Sequence, residues 1–317
     1  MSLVEQALKK LQQARDSGQP VRPEAPLTAR APIDSPPPPR HVAQPEGDSD
    51  PLAQTAPMRV VVPEHSVPLN QGALRAAGFL APDSQERRVA NEFRNIKRPL
   101  IAKALGRGGQ KVPNGRLIMV TSSLPGDGKT FTSLNLALSM AQEMDLSVLL
   151  VDADVAKRHI SRLMGAESER GLMDVLREPG ADADAVVLGT DVPNLCVLPA
   201  GKPSENATEL LASPRMAEVI NQLGSRADSR IVIFDSPPLL LTSESRALAA
   251  SVGQIALVVC AGVTPQRAVF DSLDILGEGK QISIVLNQAD EGQSGEYGYA
   301  YYGDTNPEER AAARGTT

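Results

Sequence analysis

Tryptophan is absent from this 317-residue chain, and aromatic residues make up only 3% of it. With a hydrophobic content of 41%, a core must be built from Leu, Val, Ile and Ala. Cysteine occurs twice, as Cys196 and Cys260, each inside an apolar run. Both read as small buried hydrophobes of a reducing compartment. Three scattered histidines form no metal-ligand cluster. No apolar run approaches the ~20 residues of a membrane span, and no secretory signal opens the chain. Work at a membrane therefore requires another protein to hold this one there. The net charge of −6 argues against nonspecific nucleic-acid binding as the main task.

The few aromatics are unevenly placed. All four tyrosines, Tyr297, Tyr299, Tyr301 and Tyr302, fall in one glycine-spaced acidic tail. Folded domains spread tyrosine through core and rim, where the ring packs and the hydroxyl finds a partner. A flexible segment of this kind is able to enter an active site one hydroxyl at a time, as a substrate carried by its own enzyme. A self-associating low-complexity tail is the plainer reading.

The rest of the chain divides by composition. Residues 2 to 17 predict a short amphipathic helix, with Ser2 and Glu5 as a capping box and Leu3, Val4, Leu8 and Leu11 as an apolar stripe. Residues 18 to 83 read as a Pro-rich disordered linker; 13 of the 26 prolines lie between 18 and 70. A domain is expected over 84–290 and a flexible tail over 291–317. Within the domain, 84–105 predicts a helix with a basic bias. Apolar β-branched runs follow at Arg116 to Thr121, Ser147 to Asp152, Arg230 to Asp235, Ile255 to Cys260 and Ile282 to Asn287, with a weaker one at Asn194 to Leu198. Helical stretches near 129–144, 171–177, 205–225, 241–252 and 265–278 separate them. Continuous apolar strands alternating with helices predict an α/β fold with a mostly parallel sheet covered on both faces.

The first strong strand runs into Ser122-Ser123-Leu124-Pro125-Gly126-Asp127-Gly128-Lys129-Thr130, after which a helix begins. Strand, glycine loop and helix in that order make a P-loop. Gly126 and Gly128 let backbone N–H groups converge on the phosphates of a nucleoside triphosphate. Lys129 adds charge at the same oxygens, and Thr130 offers its hydroxyl to Mg²⁺. Ser123 stands where the motif's first glycine is usual. The second strand ends in Asp152-Ala-Asp154, and another in Asp235-Ser-Pro-Pro. Acids at the carboxyl ends of parallel strands lie where open α/β sheets bind ligands. Asp235 suits the metal, and Asp152 or Asp154 suits the acceptor hydroxyl of a phosphoryl transfer. A lone strand-end aspartate is often a turn-former, but three beside a P-loop are harder to dismiss.

In these motifs and in the tail tyrosines the chain resembles the bacterial P-loop tyrosine kinases. More narrowly, the opening Met-Ser-Leu-Val-Glu-Gln-Ala, the run Asn91 to Leu100 and Leu198-Pro199-Ala200-Gly201 resemble the autokinases of exosortase/PEP-CTERM-type exopolysaccharide loci. The resemblance implies a P-loop NTPase fold of the MinD/ParA kind and a cytoplasmic protein-tyrosine autokinase that uses ATP and Mg²⁺. It implies nucleotide contacts from Ser123, Pro125, Gly126, Asp127, Gly128, Lys129, Thr130, Phe131 and Asn287, and catalytic roles for Lys129, Asp152 and Asp154. Metal contacts would come from Thr130, Asp152 and Asp235, and Tyr297, Tyr299, Tyr301 and Tyr302 would be the acceptors. As partners it implies a homo-oligomer and a separate Wzz-like membrane polysaccharide co-polymerase, which would hold the kinase peripherally at the inner membrane. Two features depart from the family pattern. The oligomerisation motif would map onto Glu92, Asn95 and Arg98, so its middle arginine is missing, and Val-Ala-Lys-Arg follows Asp154 in place of an arginine-rich stretch, where Lys157 or Arg158 would substitute. Two rival readings are a MinD/ParA-like ATPase switch, whose early P-loop lysine is Leu124 here, and a non-catalytic nucleotide-responsive scaffold.

Overall fold

The computed structural model describes residues 65–107, 112–225 and 229–289. The expected N-terminal helix, most of the linker and the tyrosine tail lie outside the described residues. Strands β1 (Ser66–Val67), β2 (Leu117–Ser122), β3 (Ser147–Asp152), β4 (Leu188–Thr190), β5 (Leu195–Leu198), β6 (Arg230–Asp235), β7 (Gln254–Cys260) and β8 (Gln281–Asn287) form one sheet in the order β1-β4-β5-β3-β6-β2-β7-β8. Every pairing is parallel except β4 with β5. Only four residues join those two strands, too few for a parallel crossover, so they pair as a hairpin. Asn194 turns through φ 64° at its end.

The central strands are buried on both faces, which is why they read as unbroken apolar runs. Alternate residues enter opposite cores. Ile118, Val120, Val148, Leu150, Ile231 and Ile233 pack on one side, under the helices α2 (Glu86–Leu105) and α3 (Lys129–Ala141). Leu117, Met119, Leu149, Val151, Val232 and Phe234 pack on the other, with Val219 and Leu223 among their neighbours.

Two expectations need correction, and one finding was not foreseen. The linker does not extend to 83, because residues 66–67 form β1 and Gln71–Ala76 form helix α1, whose first turn is capped by the Asn70 side chain at 2.9 Å. Proline at 63 and 68 masked a start that Asn70 signals. The helix expected over 205–225 is two, Ala207–Leu211 and Pro214–Ser225. Pro214 has no N–H to continue the first and opens the second, a position proline favours. Within the basic-biased helix α2, Lys97 faces inward. It is buried, and its ammonium donates to the Ser139 carbonyl in the last turn of α3 and pairs with Glu143 at 2.8 Å.

Candidate active site

The sheet order puts β3, β6 and β2 side by side, so their carboxyl ends share one edge. β2 hands the chain to the loop 123–128, and α3 begins at Lys129. Gly126 and Gly128 both take φ 92°, in the left-handed region that favours glycine. A Cβ on Gly128 would be strained at this φ and would also push the end of the Asn287 side chain out of place. Pro125 and Gly126 form the exposed crest of the loop, while Ser123, Asp127, Lys129 and Thr130 are buried.

The three aspartates converge on this loop. Asp152 and Asp235 are register partners across β3 and β6, and both are fully buried. Asp152 Oδ2 accepts from the N–H and hydroxyl of Ser161 at 2.8 and 2.7 Å, and its Oδ1 has no partner. Asp235 Oδ1 accepts from Ser133 Oγ at 2.9 Å, and its Oδ2 has none. Asp154 lies just past the strand, where its Oδ1 accepts from the Lys157 N–H. Its Oδ2 stands 3.4 Å from Lys129 Nζ, an ion pair without hydrogen-bond geometry. Three buried carboxylate oxygens beside the P-loop thus lack a hydrogen-bond partner among the described residues.

Burial disfavours these charges. It raises the Asp235 carboxyl to about 7, helped by the neighbouring charge of Asp152 and opposed by Lys129 and by the nearby hydroxyls of Thr130 and Ser133. Asp152 rises to about 6, mainly through burial, against the hydrogen bonds of Ser161. His159, edge-on to Phe79 at 6.4 Å, is pushed down by its own burial.

The orphaned oxygens and the Thr130 hydroxyl suit a hard dication. No group of three acidic, His or Cys residues among the described residues is placed to hold a metal alone.

Phe131 and Asn287 line a common groove of about 570 Å³ between α2 and the end of β8. Asn287 also donates to the Asp127 carbonyl at 2.9 Å. Arg158, at φ 50°, turns its guanidinium to the Glu167 and Gly201 carbonyls, each at 3.4 Å. Glu92, from the weakened oligomerisation motif, pairs with Arg88 at 2.9 Å. Ser133 and Ser161 were not foreseen. Ser133 follows Lys129 by one helical turn, a spacing able to reveal it, whereas Ser161 meets Asp152 only through the fold.

A P-loop opening a helix beneath a parallel sheet, with acids at the neighbouring strand ends, defines a P-loop nucleotide-binding protein. Comparison with known proteins narrows this. An AAA domain family model matches residues 115–263. The tyrosine-protein kinase CpsD of Streptococcus agalactiae is 30% identical over 191 residues, 59% of this chain and 82% of that protein. The crystal structure of the VpsO kinase domain is 30% identical with a TM-score of 0.54, covering 66% of this chain and all of that one. The succinoglycan biosynthesis transport protein ExoP of Rhizobium meliloti is 30% identical over 220 residues, and the match spans 68% of this chain but only 27% of that longer protein. The chain belongs to the bacterial P-loop tyrosine-protein kinases.

Proposed function

We propose that this kinase transfers the γ-phosphoryl group of Mg-ATP to its own tail tyrosines, Tyr297, Tyr299, Tyr301 and Tyr302, in the same or a neighbouring copy. One juxtaposition carries the reading: β8 ends at Asn287 against the P-loop, and the tyrosines begin ten residues later. Ten extended residues reach about 33 Å at most, enough for the tail to return to the site beside its root.

The roles follow from position. Lys129 and the loop N–H groups hold the β- and γ-phosphates, with Ser123, Pro125, Gly126, Asp127 and Gly128 shaping that cradle. Phe131 and Asn287 bound the groove on the base side. Thr130, Asp152 and Asp235 would hold Mg²⁺, which when bound neutralises charge on the triphosphate. The tyrosine proton goes to Asp152 or Asp154. Burial raises the Asp152 carboxyl to about 6, while Asp154 faces Lys129.

The domain limits proposed are a helix over 1–17, a linker ending near 64, the kinase domain to about 290 and the tail beyond. The name of ExoP supports a role in exopolysaccharide production and export. The partner proposed is a Wzz-like membrane co-polymerase that recruits the kinase to the inner face of the membrane, with homo-oligomers forming there. Among the described residues no helix is long and apolar enough to cross a membrane.

The test is intact-mass analysis of dephosphorylated protein incubated with Mg-ATP, beside Lys129→Met and a four-fold Tyr→Phe variant. Phosphate increments in the wild type alone support the autokinase. Steady ATP hydrolysis without phosphotyrosine, with or without the partner's cytoplasmic segment, would replace it with an ATPase switch.

A further inference from the structure

The phosphate loop is also held by residues far from it in sequence. Asp127 sits between Gly126 and Gly128, two left-handed glycine joints, so the peptide between them has little intrinsic preference. Asp127 is also an acid inside a loop that binds polyanions, and its charge must be kept turned from the phosphates. One bond within the loop and several from outside it meet both needs.

All three acceptor oxygens of Asp127 are occupied. Its Oδ2 accepts from the Leu124 N–H at 3.2 Å, within the loop. Its Oδ1 accepts from Thr264 Oγ1 at 2.7 Å across 137 positions of sequence, and its carbonyl accepts from Asn287 Nδ2. The Thr264 hydroxyl is itself fixed, because it accepts from the Cys260 N–H at 2.9 Å. At the other end of the loop, Ser272 Oγ lies 2.9 Å from Ser123 Oγ and 2.8 Å from the Ala268 carbonyl, with both serines fully buried. Ser123 replaces a glycine of the usual motif, so this second contact depends on a hydroxyl that the motif does not ordinarily carry.

Thr264, Ser272 and Asn287 belong to one piece of chain, the crossover from β7 through the helix Gln266–Leu276 to β8. The crossover is closed on itself by the Ala261 N–H to the Asn287 carbonyl at 2.8 Å. It also ends at the root of the tyrosine tail.

We propose that Thr264 and Ser272 are positioning residues that clamp the P-loop in its phosphate-binding shape. Thr264 fixes the Asp127 carboxylate, and Ser272 anchors Ser123. Neither touches the nucleotide; each acts through a loop residue. This inference rests on the loop being the ATP site, as proposed above.

The test uses the full chain with Thr264→Val, Thr264→Ser, Ser272→Ala, Ser123→Gly and the Ser123→Gly/Ser272→Ala pair. Calorimetry gives Kd for Mg-ATP, initial rates of tail phosphorylation give KM and kcat, and urea midpoints report stability. Thr264→Val is expected to raise Kd and KM by roughly tenfold, the scale of one hydrogen bond to a charged group, with kcat nearly unchanged. Thr264→Ser should restore wild-type affinity. Ser272→Ala should weaken binding by roughly threefold, the scale of a neutral hydrogen bond, and that loss should vanish in the Ser123→Gly background. Wild-type Kd in both Thr264→Val and Ser272→Ala overturns the clamp, as do lower urea midpoints with unchanged KM. If Thr264→Val does not fold, the Ser272→Ala cycle decides alone. Failure of the wild type to bind Mg-ATP would instead overturn the functional reading beneath it.

Discussion

Replacing Asp235 with Asn should make the metal-free protein more stable while destroying its activity. Asp235 is fully buried, its Oδ2 has no partner, and Asp152 lies beside it in register on the next strand. Its carboxyl rises from 3.8 to about 7 on folding. A folded-state value above the unfolded one means that the folded protein holds a proton the unfolded chain has already lost. This group's contribution to stability is therefore complete below pH 3.8 and is lost as pH rises through about 7. Asparagine keeps an acceptor for Ser133 Oγ and removes the charge.

The displacement from 3.8 to about 7, at roughly 1.4 kcal/mol per pH unit, comes to on the order of 4 kcal/mol above neutral pH. Between about pH 5 and pH 8 the stability advantage of Asp235→Asn should grow by roughly 3 kcal/mol and then level off. Urea unfolding in EDTA at a series of pH values measures it, provided the slope with denaturant is unchanged. An advantage independent of pH, or a variant less stable than wild type at pH 8, would refute the reasoning. The same variant should gain little stability from Mg-ATP, because the orphaned oxygen that makes Asp235 costly is the one proposed to face the metal. Activity and stability are opposed at this atom, as expected where a site holds unpaired buried charge.

Gly128→Ala places a methyl group against Asn287 and forces a side chain into φ 92°, so nucleotide binding should fall below detection by calorimetry while the sheet stays folded by circular dichroism. Lys97→Ala should lower the urea-derived stability by about 2 kcal/mol, through the loss of a buried ammonium from the last turn of α3, with Kd for Mg-ATP unchanged. Asp152→Asn and Asp154→Asn separate the two candidate proton acceptors. Only loss of the true base should abolish the acid limb of the pH–rate profile, whereas loss of the other should leave that limb at a reduced maximum.

What the sequence discloses here depends on how far apart the cooperating residues lie. The P-loop is legible because its strand, glycines, lysine and helix are contiguous, and each demands a residue type for a local reason. Asp152 and Asp235 are legible because each ends an apolar strand, so the sheet needs only to be parallel to bring them together. The burial of Lys97 is not legible, because helical periodicity tells which face a residue is on but not how far its stem reaches. Its target, the last turn of α3, is 42 positions away. Ser133, Thr264 and Ser272 meet their partners across 102, 137 and 149 positions, and a serine or threonine in an α/β chain has too many local uses to stand out.

The division has a physical basis. Groups that meet phosphate must be presented by the strained backbone of a tight turn, which only a few residues tolerate, so chemistry leaves a local signature. Groups that hold the turn in shape need only a hydroxyl at the right distance, and many packings supply one. The P-loop of this kinase is thus half written in a motif. The other half is written in the crossover from β7 to β8, where a change at Thr264 alters the site without altering the motif that announces it.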